Sequence, residues 1–122
     1  MKQQKTLVWL LLAVMLLALA GCSAGTSEGT KNITVNIIYA DQTTDEIAIT
    51  TQAQYLAEAL AEKELIEYRE DGYYTTVNGV TADYSADKSW WMLTKSGVMT
   101  TEGFNTQPIA DGDSFEITYT ID

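Results

Sequence analysis

Two adjacent tryptophans, Trp90 and Trp91, lie in a segment that is bounded on both sides by turn residues. Successive side chains of a β-strand point to opposite faces of the sheet. If the segment is a strand, one indole therefore packs into the core and the other faces outward. An outward aromatic on a small domain is typical of a ligand or partner site. The alternative is that the outer ring covers a loop or the tether that precedes the domain.

The start of the chain predicts a targeting signal. Lys2 and Lys5 precede an apolar run over residues 7–19, and residues 19–22 have the sequence Leu-Ala-Gly-Cys. This order is that of a secretory signal. The apolar run is also shorter than the roughly 20 residues that a membrane-spanning helix needs. The four residues that end in Cys22 resemble the bacterial lipobox, in which the cysteine becomes the lipidated first residue. We therefore expect residues 1–21 to be a lipoprotein signal peptide and residues 22–31 to be the lipidated cysteine and a flexible tether.

Lipidation of Cys22 would attach the protein to a membrane without crossing it. Each buried acyl methylene contributes about 0.8 kcal/mol, so a multiply acylated cysteine holds a protein durably at the surface. The expected location is the extracytoplasmic face of the cell membrane. An ordinary secretory signal with a stray cysteine is the alternative.

The composition leaves few groups for catalysis. The chain has no histidine, and Cys22 is its only cysteine, so the mature protein has neither imidazole nor free thiol. Carboxylates remain, but most of them fall at predicted turns or on the outer face of a predicted helix. We therefore predict that the protein is not an enzyme. Its net charge, −10 for the whole chain and −12 once Lys2 and Lys5 are removed, opposes binding to nucleic acid.

Asp111 and Asp113 place two carboxylates close together, which raises the question of a calcium site. Calcium takes about six to eight oxygen ligands, and an EF-hand distributes them over a twelve-residue loop. Here an apolar strand begins almost at once, at Phe115. The pattern favours an acidic turn, and we predict no metal ligands.

Hydrophobic periodicity predicts an α+β fold. Residues 32–39 and 46–50 alternate with period two and predict an N-terminal β-hairpin. Thr51 and Gln54 fit a capping box before an Ala-, Leu- and Glu-rich pattern over residues 53–64, which predicts one amphipathic helix. Several short strands follow, marked by the Asn78-Gly79 hairpin dipeptide and by the tryptophan pair. We expect the helix to cover a mixed sheet in a single domain over residues 32–122.

The order of these motifs resembles the transcobalamin-like C-terminal domain family, known in bacteria from lipoproteins and surface proteins. The resemblance rests on residues 73–80, 82–84, 89–93, 96–97, 103 and 111–119. It implies a β-grasp-like fold of the soluble-ligand-binding type. In transcobalamin this domain closes over cobalamin, which a separate helical-barrel domain also holds. Trp91 matches the family's aromatic before the Ser96-Gly97 turn, and Asn78 matches its Asn-Gly turn.

Together, the residues and the resemblance predict a non-enzymatic ligand-binding module. Cobalamin or another corrinoid is the ligand that the resemblance implies, and a transporter or second binding domain is the implied partner. A flat macrocycle with apolar faces and an amide rim suits outward Trp and Tyr rings beside Asn, Ser and Thr. The alternatives are a protein-interaction module that uses the same aromatic patch and an acidic metal-binding protein. The candidate ligand-binding residues are Trp90, Trp91, Tyr74, Asn78 and Met99.

Overall fold

The computed structural model describes residues 29–122, and these residues form seven β-strands and two helices. The predicted signal peptide, the lipidated Cys22 and most of the tether lie outside the described residues. In chain order the elements are β1 (Lys31–Ile38), β2 (Thr44–Thr51), α1 (Leu56–Glu62), β3 (Thr76–Val77), β4 (Val80–Thr81), α2 (Tyr84–Asp87), β5 (Ser89–Lys95), β6 (Val98–Met99) and β7 (Ser114–Ile121).

Five of the strands form one mixed sheet in the order β2-β1-β7-β5-β6. The central pair, β1 and β7, is parallel, and the other neighbours are antiparallel. β3 and β4 form a separate two-stranded hairpin. The last strand of the chain therefore lies in the middle of the sheet, next to the first.

The core lies on one face of the sheet, because alternate side chains of its strands point there. β1 contributes Ile33, Val35 and Ile37, and β7 contributes Phe115 and Ile117, all at most 2% exposed. Helix α1 covers this inner face with its own buried residues, which are Leu56, Ala57, Ala59 and Leu60. No helix within residues 29–122 is long and apolar enough to cross a membrane.

The predicted α+β fold with one amphipathic helix and several short strands was wrong, because the described chain is mostly β. Its helices have 7 and 4 residues, whereas four of its strands have 7 or 8. The helical pattern over residues 53–64 is longer than the helix that forms. Tyr55 is extended (φ −121°, ψ 153°) and bridges to Pro108, and Glu64 has a φ of +58° just beyond the other end.

Tertiary contacts decide where α1 begins. The first amides of a helix have no partner inside the helix. The Leu56 amide donates to the carbonyl of Gln107 and the Ala57 amide to the carbonyl of Phe104, both at 2.9 Å. Tyr55, which precedes the helix, makes no side-chain cap. A loop about fifty residues downstream therefore caps α1, and no local sequence pattern reports it.

The predicted capping box at Thr51 and Gln54 does not form. Thr51 is the last residue of β2, so it lies too early to cap the helix. Its hydroxyl accepts the Ala53 amide at 3.0 Å and donates to the carboxylate of Glu62 at the far end of α1. The threonine thus ties the end of β2 to the end of the helix.

Candidate functional site

Strand β5 separates the two tryptophans. Trp91 is only 5% exposed and lies on the inner face of the sheet. Its ring makes edge-to-face contacts with Tyr119 and Tyr39, with centroids 5.3 Å and 6.3 Å away. Trp90 is half-buried and lies on the opposite face. Trp91 is therefore the core tryptophan, and Trp90 is the one at the surface.

The indole of Trp91 also holds the β3–β4 hairpin against β5. Its Nε1–H donates to the carbonyls of Thr75 and Val80, at 3.1 Å and 3.3 Å. Thr75 immediately precedes β3, and Val80 is the first residue of β4. A buried indole N–H needs such a partner, so the ring and the hairpin fix each other's position.

Asn78 fixes the turn of the same hairpin and lies away from the outer face of the sheet. It has a left-handed φ of +47°, a conformation that asparagine tolerates better than most residues. Its amide N–H donates to the carbonyl of Leu65 at 2.7 Å, and its side chain donates to the Tyr39 hydroxyl at 2.8 Å. Burial raises the pKa of Tyr39, which in turn donates to Asp45 at 2.7 Å.

Tyr74 is buried, and its hydroxyl joins two loops. Its ring, 8% exposed, meets Phe104 edge-to-face at 5.4 Å between centroids. The hydroxyl donates to Oδ1 of Asn105 at 2.6 Å and accepts the Arg69 amide at 3.1 Å. Burial raises the pKa of Tyr74, so it stays a neutral donor at physiological pH.

Between residues 72–75 and the start of β5 lies a hollow of about 130 Å³ lined by aromatic side chains. A second hollow of about 480 Å³ adjoins it and shares Tyr73, Thr75, Ala82 and Tyr84. Together they make a shallow groove that combines aromatic rings with the polar side chains of Thr81, Asp83 and Ser85. We call it the aromatic cleft, with a rim of Tyr73, Tyr84 and Trp90 and a base of Tyr74, Trp91 and Phe104.

Asp122 positions two of the three rim residues. One carboxylate oxygen accepts the indole N–H of Trp90 and the other accepts the Tyr84 hydroxyl, both at 2.9 Å. This hydrogen bond to the carboxylate raises the pKa of Tyr84. Tyr84 also begins α2, which Asp83 caps by accepting the Ser85 amide at 3.1 Å. The two rings are thus held beside each other while Tyr84 stays 48% exposed.

Tyr73, the third rim residue, projects from a turn that an ion pair closes. The guanidinium of Arg69 donates to both carboxylate oxygens of Asp71, at 3.1 Å and 2.7 Å. Asp71 also accepts the amide of Tyr73 at 3.0 Å. These donors lower the pKa of Asp71 to about 2, with the Arg69 hydrogen bond as the largest cause. The turn leaves the Tyr73 ring 64% exposed.

The edge of β5 supplies polar groups beside the cleft. The Asp122 amide donates to the Lys88 carbonyl at 3.1 Å, so these two residues are a hydrogen-bonded pair. Every second pair between β5 and β7 is of the same type, and the pairs between are not hydrogen-bonded. By that alternation the N–H and C=O of Trp91 point away from β7. The next strand, β6, pairs only with Thr94 and Lys95. Trp91 lies opposite Tyr119 of β7 in a non-hydrogen-bonded pair, and no strand within residues 29–122 pairs with it on the other side of β5.

The structure brings together three of the five residues that the sequence singled out. Trp90, Trp91 and Tyr74 line the aromatic cleft. Asn78 is in the hairpin turn, and Met99 is on β6, where it is 59% exposed and outside the cleft.

Sequence reasoning missed Tyr73, Tyr84 and Asp122. The adjacent Tyr73-Tyr74 pair contains a signal, because neighbouring rings in an extended segment face opposite ways. It does not say which ring faces out. Asp122 is 38 residues from Tyr84, and only the folded sheet brings the two together.

The carboxylates of Asp71, Asp83 and Asp122 lie beside the cleft, and each accepts hydrogen bonds from neighbouring residues. Within the described part of the chain, no group of three or more His, Cys, Asp or Glu side chains is placed to hold a metal ion. Asp111 and Asp113 instead accept backbone amides, those of Asn32 at 2.7 Å and Ala110 at 2.9 Å.

Comparisons with known proteins identify the domain. Residues 51–120 match the model of a family described as a domain of unknown function, DUF4430. A crystal structure from Ruminococcus gnavus, of a protein provisionally named as metal binding, is 38% identical with a TM-score of 0.70. The match covers 75% of this chain and 98% of that one, so the crystallised Ruminococcus gnavus chain consists almost entirely of this domain. No curated protein sequence matches.

Haptocorrin, in a crystal structure of its complex with Cbi, shares the fold. The TM-score is 0.59 at 18% identity, and the match covers 75% of this chain. This chain spans only 25% of the haptocorrin chain. The resemblance to the transcobalamin-like domain is therefore confirmed at the level of the fold. By the match over residues 51–120, the chain belongs to the DUF4430 family.

Proposed function

We propose that this protein is a non-enzymatic ligand-binding module and that the aromatic cleft holds a flat ligand with apolar faces, of the corrinoid class. The observation that carries the proposal is the grouping of the exposed Tyr73 and Tyr84 rings with the half-buried Trp90 ring over a base of buried aromatic side chains. Exposed aromatic rings that share a concave surface are the usual lining of a site for an organic ligand. The fold shared with haptocorrin, which was crystallised with Cbi, supports the ligand class.

The cleft offers both kinds of contact that such a ligand needs. Ring faces bury large apolar areas, roughly 150–250 Å² for a whole aromatic side chain. The N–H and C=O of Trp91, which point away from β7, and the hydroxyl groups of Tyr73 and Tyr84 can meet amides on the ligand's rim. Asp122 holds Trp90 and Tyr84 in place before binding, which reduces the entropy lost when the ligand orders them.

The open shape of the cleft predicts partial coverage and weak binding. Its two hollows, of about 130 Å³ and 480 Å³, reach the roughly 300–1,000 Å³ of a site for a drug-sized ligand, but they form a groove that does not enclose one. A macrocycle would therefore rest against the cleft with one face or edge and leave the rest open. A ligand held on one side gains fewer contacts against the same association cost. We propose that a second binding domain or a transporter covers the other side.

The ligand site is tested by titration of residues 29–122 with cobinamide and with cobalamin. Trp90 and Trp91 are the only tryptophans in this segment, so their fluorescence reports on the cleft. We expect saturable quenching for the unchanged domain. Calorimetry should show that Trp90→Ala and Tyr73→Ala each weaken binding about tenfold or more, the equivalent of ~1.4 kcal/mol.

Met99→Ala is the matched control, because Met99 is also an exposed apolar side chain but lies outside the cleft. Its affinity should equal that of the unchanged domain. The absence of saturable binding up to millimolar ligand would contradict the corrinoid proposal. If a protein partner is then captured and lost on Trp90→Ala, the protein-interaction alternative takes its place.

We also propose that Cys22 anchors the module to the extracytoplasmic face of the cell membrane. The support is the lipobox-like sequence over residues 19–22. In the full chain, Cys22→Ser should move the protein from the membrane fraction to the soluble fraction, because the acyl chains supply the membrane affinity. Ser23→Ala is the control and should stay with the membrane. Retention of the Cys22→Ser protein after processing of its leader would rule out the lipid anchor.

A further inference from the structure

Among the strands of residues 29–122, β2 forms an edge of the main sheet. All eight of its residues pair with β1 on one side. On the other side, no strand within residues 29–122 pairs with it, since the sheet order begins at β2. This edge is the far side of the sheet from β5 and the aromatic cleft.

The pairing pattern shows which backbone groups the edge presents. The Tyr39 amide donates to the Thr43 carbonyl at 2.9 Å, so that pair is of the hydrogen-bonded type. Antiparallel pairs alternate between the two types. The odd-numbered residues of β2 therefore bond to β1, and the even-numbered ones point their N–H and C=O groups outward. These are Thr44, Glu46, Ala48 and Thr50, and all four are exposed.

β2 lacks the devices that usually protect an edge strand. Natural edges carry lysine, proline or a bulge, or are covered by a loop or helix. The register with β1 runs without a break over the whole strand, so there is no bulge, and β2 contains neither lysine nor proline. Its charges, Asp45 and Glu46, are confined to one end. The rest, residues 47–51, is Ile-Ala-Ile-Thr-Thr, which favours strand pairing.

We propose that β2 pairs antiparallel with β2 of a second copy of this chain, with the two-fold axis at Ala48. The two five-stranded sheets then become one continuous sheet. Ala48 lies opposite Ala48 of the other copy, and Glu46 lies opposite Thr50. Each of these pairs exchanges both of its N–H···O bonds, because the outward groups belong to the even-numbered residues.

Side-chain chemistry favours this register over those with the axis at Glu46 or at Ile47. An axis at Glu46 would place two carboxylates directly opposite each other, which is unfavourable. An axis at Ile47 would place Asp45 against the apolar Ile49. With the axis at Ala48, Asp45 and Glu46 both face threonines, and Ile47 faces Ile49 on the inner side. Ile47 is half-buried in the single copy, so this contact completes its burial.

The dimer should be reversible. A single strand-to-strand seam is smaller than the standard interface of about 1,600 Å². Residues 29–122 are suitable for the test, because the crystallised Ruminococcus gnavus chain consists almost entirely of this domain. Sedimentation equilibrium up to millimolar protein should show a monomer–dimer equilibrium.

Ala48→Pro should weaken the dimer about tenfold or more. Proline removes the outward N–H at the centre of the seam, while the bonds from β2 to β1 come from the odd-numbered residues. Ala48→Thr is the matched control: it keeps the N–H and should dimerise like the unchanged domain. Circular dichroism checks that all three remain folded.

Cross-linking gives a second measurement that does not depend on a proline. Residues 29–122 contain no cysteine, so Ala48→Cys supplies the only thiol. In the proposed register its Cα lies about 5.5 Å from that of the other copy, within the roughly 4.4–6.8 Å of a disulfide. Oxidation should yield a covalent dimer, and Met99→Cys, on the opposite edge, should not.

A monomer at millimolar protein would overturn the proposal. So would a dimer that Ala48→Pro leaves unchanged, or equal cross-linking of the two cysteine variants. If Ala48→Pro does not fold, the cross-linking result decides. None of these outcomes depends on ligand binding at the cleft.

Discussion

Replacement of Trp91 by alanine is expected to lower the free energy of unfolding of residues 29–122 by about 3–5 kcal/mol. The ring is almost fully buried, and its removal leaves a cavity beside Tyr119 and Tyr39. In addition, the carbonyls of Thr75 and Val80 lose the indole N–H as a hydrogen-bond donor. Urea unfolding followed by far-UV circular dichroism measures the change.

Trp91→Phe and Trp90→Ala are the controls for this result. Trp91→Phe keeps most of the aromatic packing, so it should cost less than Trp91→Ala. Trp90→Ala removes a half-buried ring on the other face and should cost about 1 kcal/mol. Equal effects of Trp90→Ala and Trp91→Ala on stability would contradict the division of roles between core and surface. The same pair separates stability from binding, since only Trp90→Ala should weaken binding in a domain of nearly unchanged stability.

Tyr74→Ala is expected to have the second-largest effect, about 3 kcal/mol of lost stability. The ring forms the base of the cleft and contacts Phe104. Its hydroxyl joins Asn105 to the backbone of Arg69, and so holds together the two loops on either side. Thermal or urea unfolding of residues 29–122 measures the loss.

Tyr74→Phe distinguishes the ring from the hydroxyl. It keeps the contact with Phe104 but leaves Asn105 and the Arg69 amide without this partner, a cost of about 1–3 kcal/mol. We therefore expect an intermediate stability. If Tyr74→Phe is as unstable as Tyr74→Ala, the ring packing contributes little and the hydroxyl network dominates. Tyr68→Phe is a matched control at an exposed tyrosine and should change stability by less than about 0.5 kcal/mol.

Period-two alternation in the sequence located three of the four long strands. Alternation with period two over residues 32–39 and 46–50, and again over residues 115–119, coincides with β1, β2 and β7. The Asn78-Gly79 dipeptide coincides with the turn between β3 and β4. These features depend on neighbouring residues only, because side-chain alternation and turn conformation are local properties of the backbone.

Helix α1 shows the limit of such local signals. The pattern over residues 53–64 contains helix-forming residues throughout, yet the helix begins only at Leu56. Its start is set by carbonyls of Phe104 and Gln107, which the chain brings into place from far downstream. The length of α1 therefore followed from contacts that a local pattern does not contain.

For the tryptophan pair, too, the sequence determined one feature and the tertiary structure another. Alternation alone required Trp90 and Trp91 to face opposite sides of β5. Which of them is buried depended on where β7 and β1 place Tyr119 and Tyr39, and on where the β3–β4 hairpin presents its carbonyls.

The cleft is likewise a product of the tertiary structure. Its rim combines Tyr73 with Tyr84 and Trp90, which the last residue, Asp122, holds together. The local geometry of a strand does not distinguish its two faces. A face becomes the buried one only because other elements pack against it.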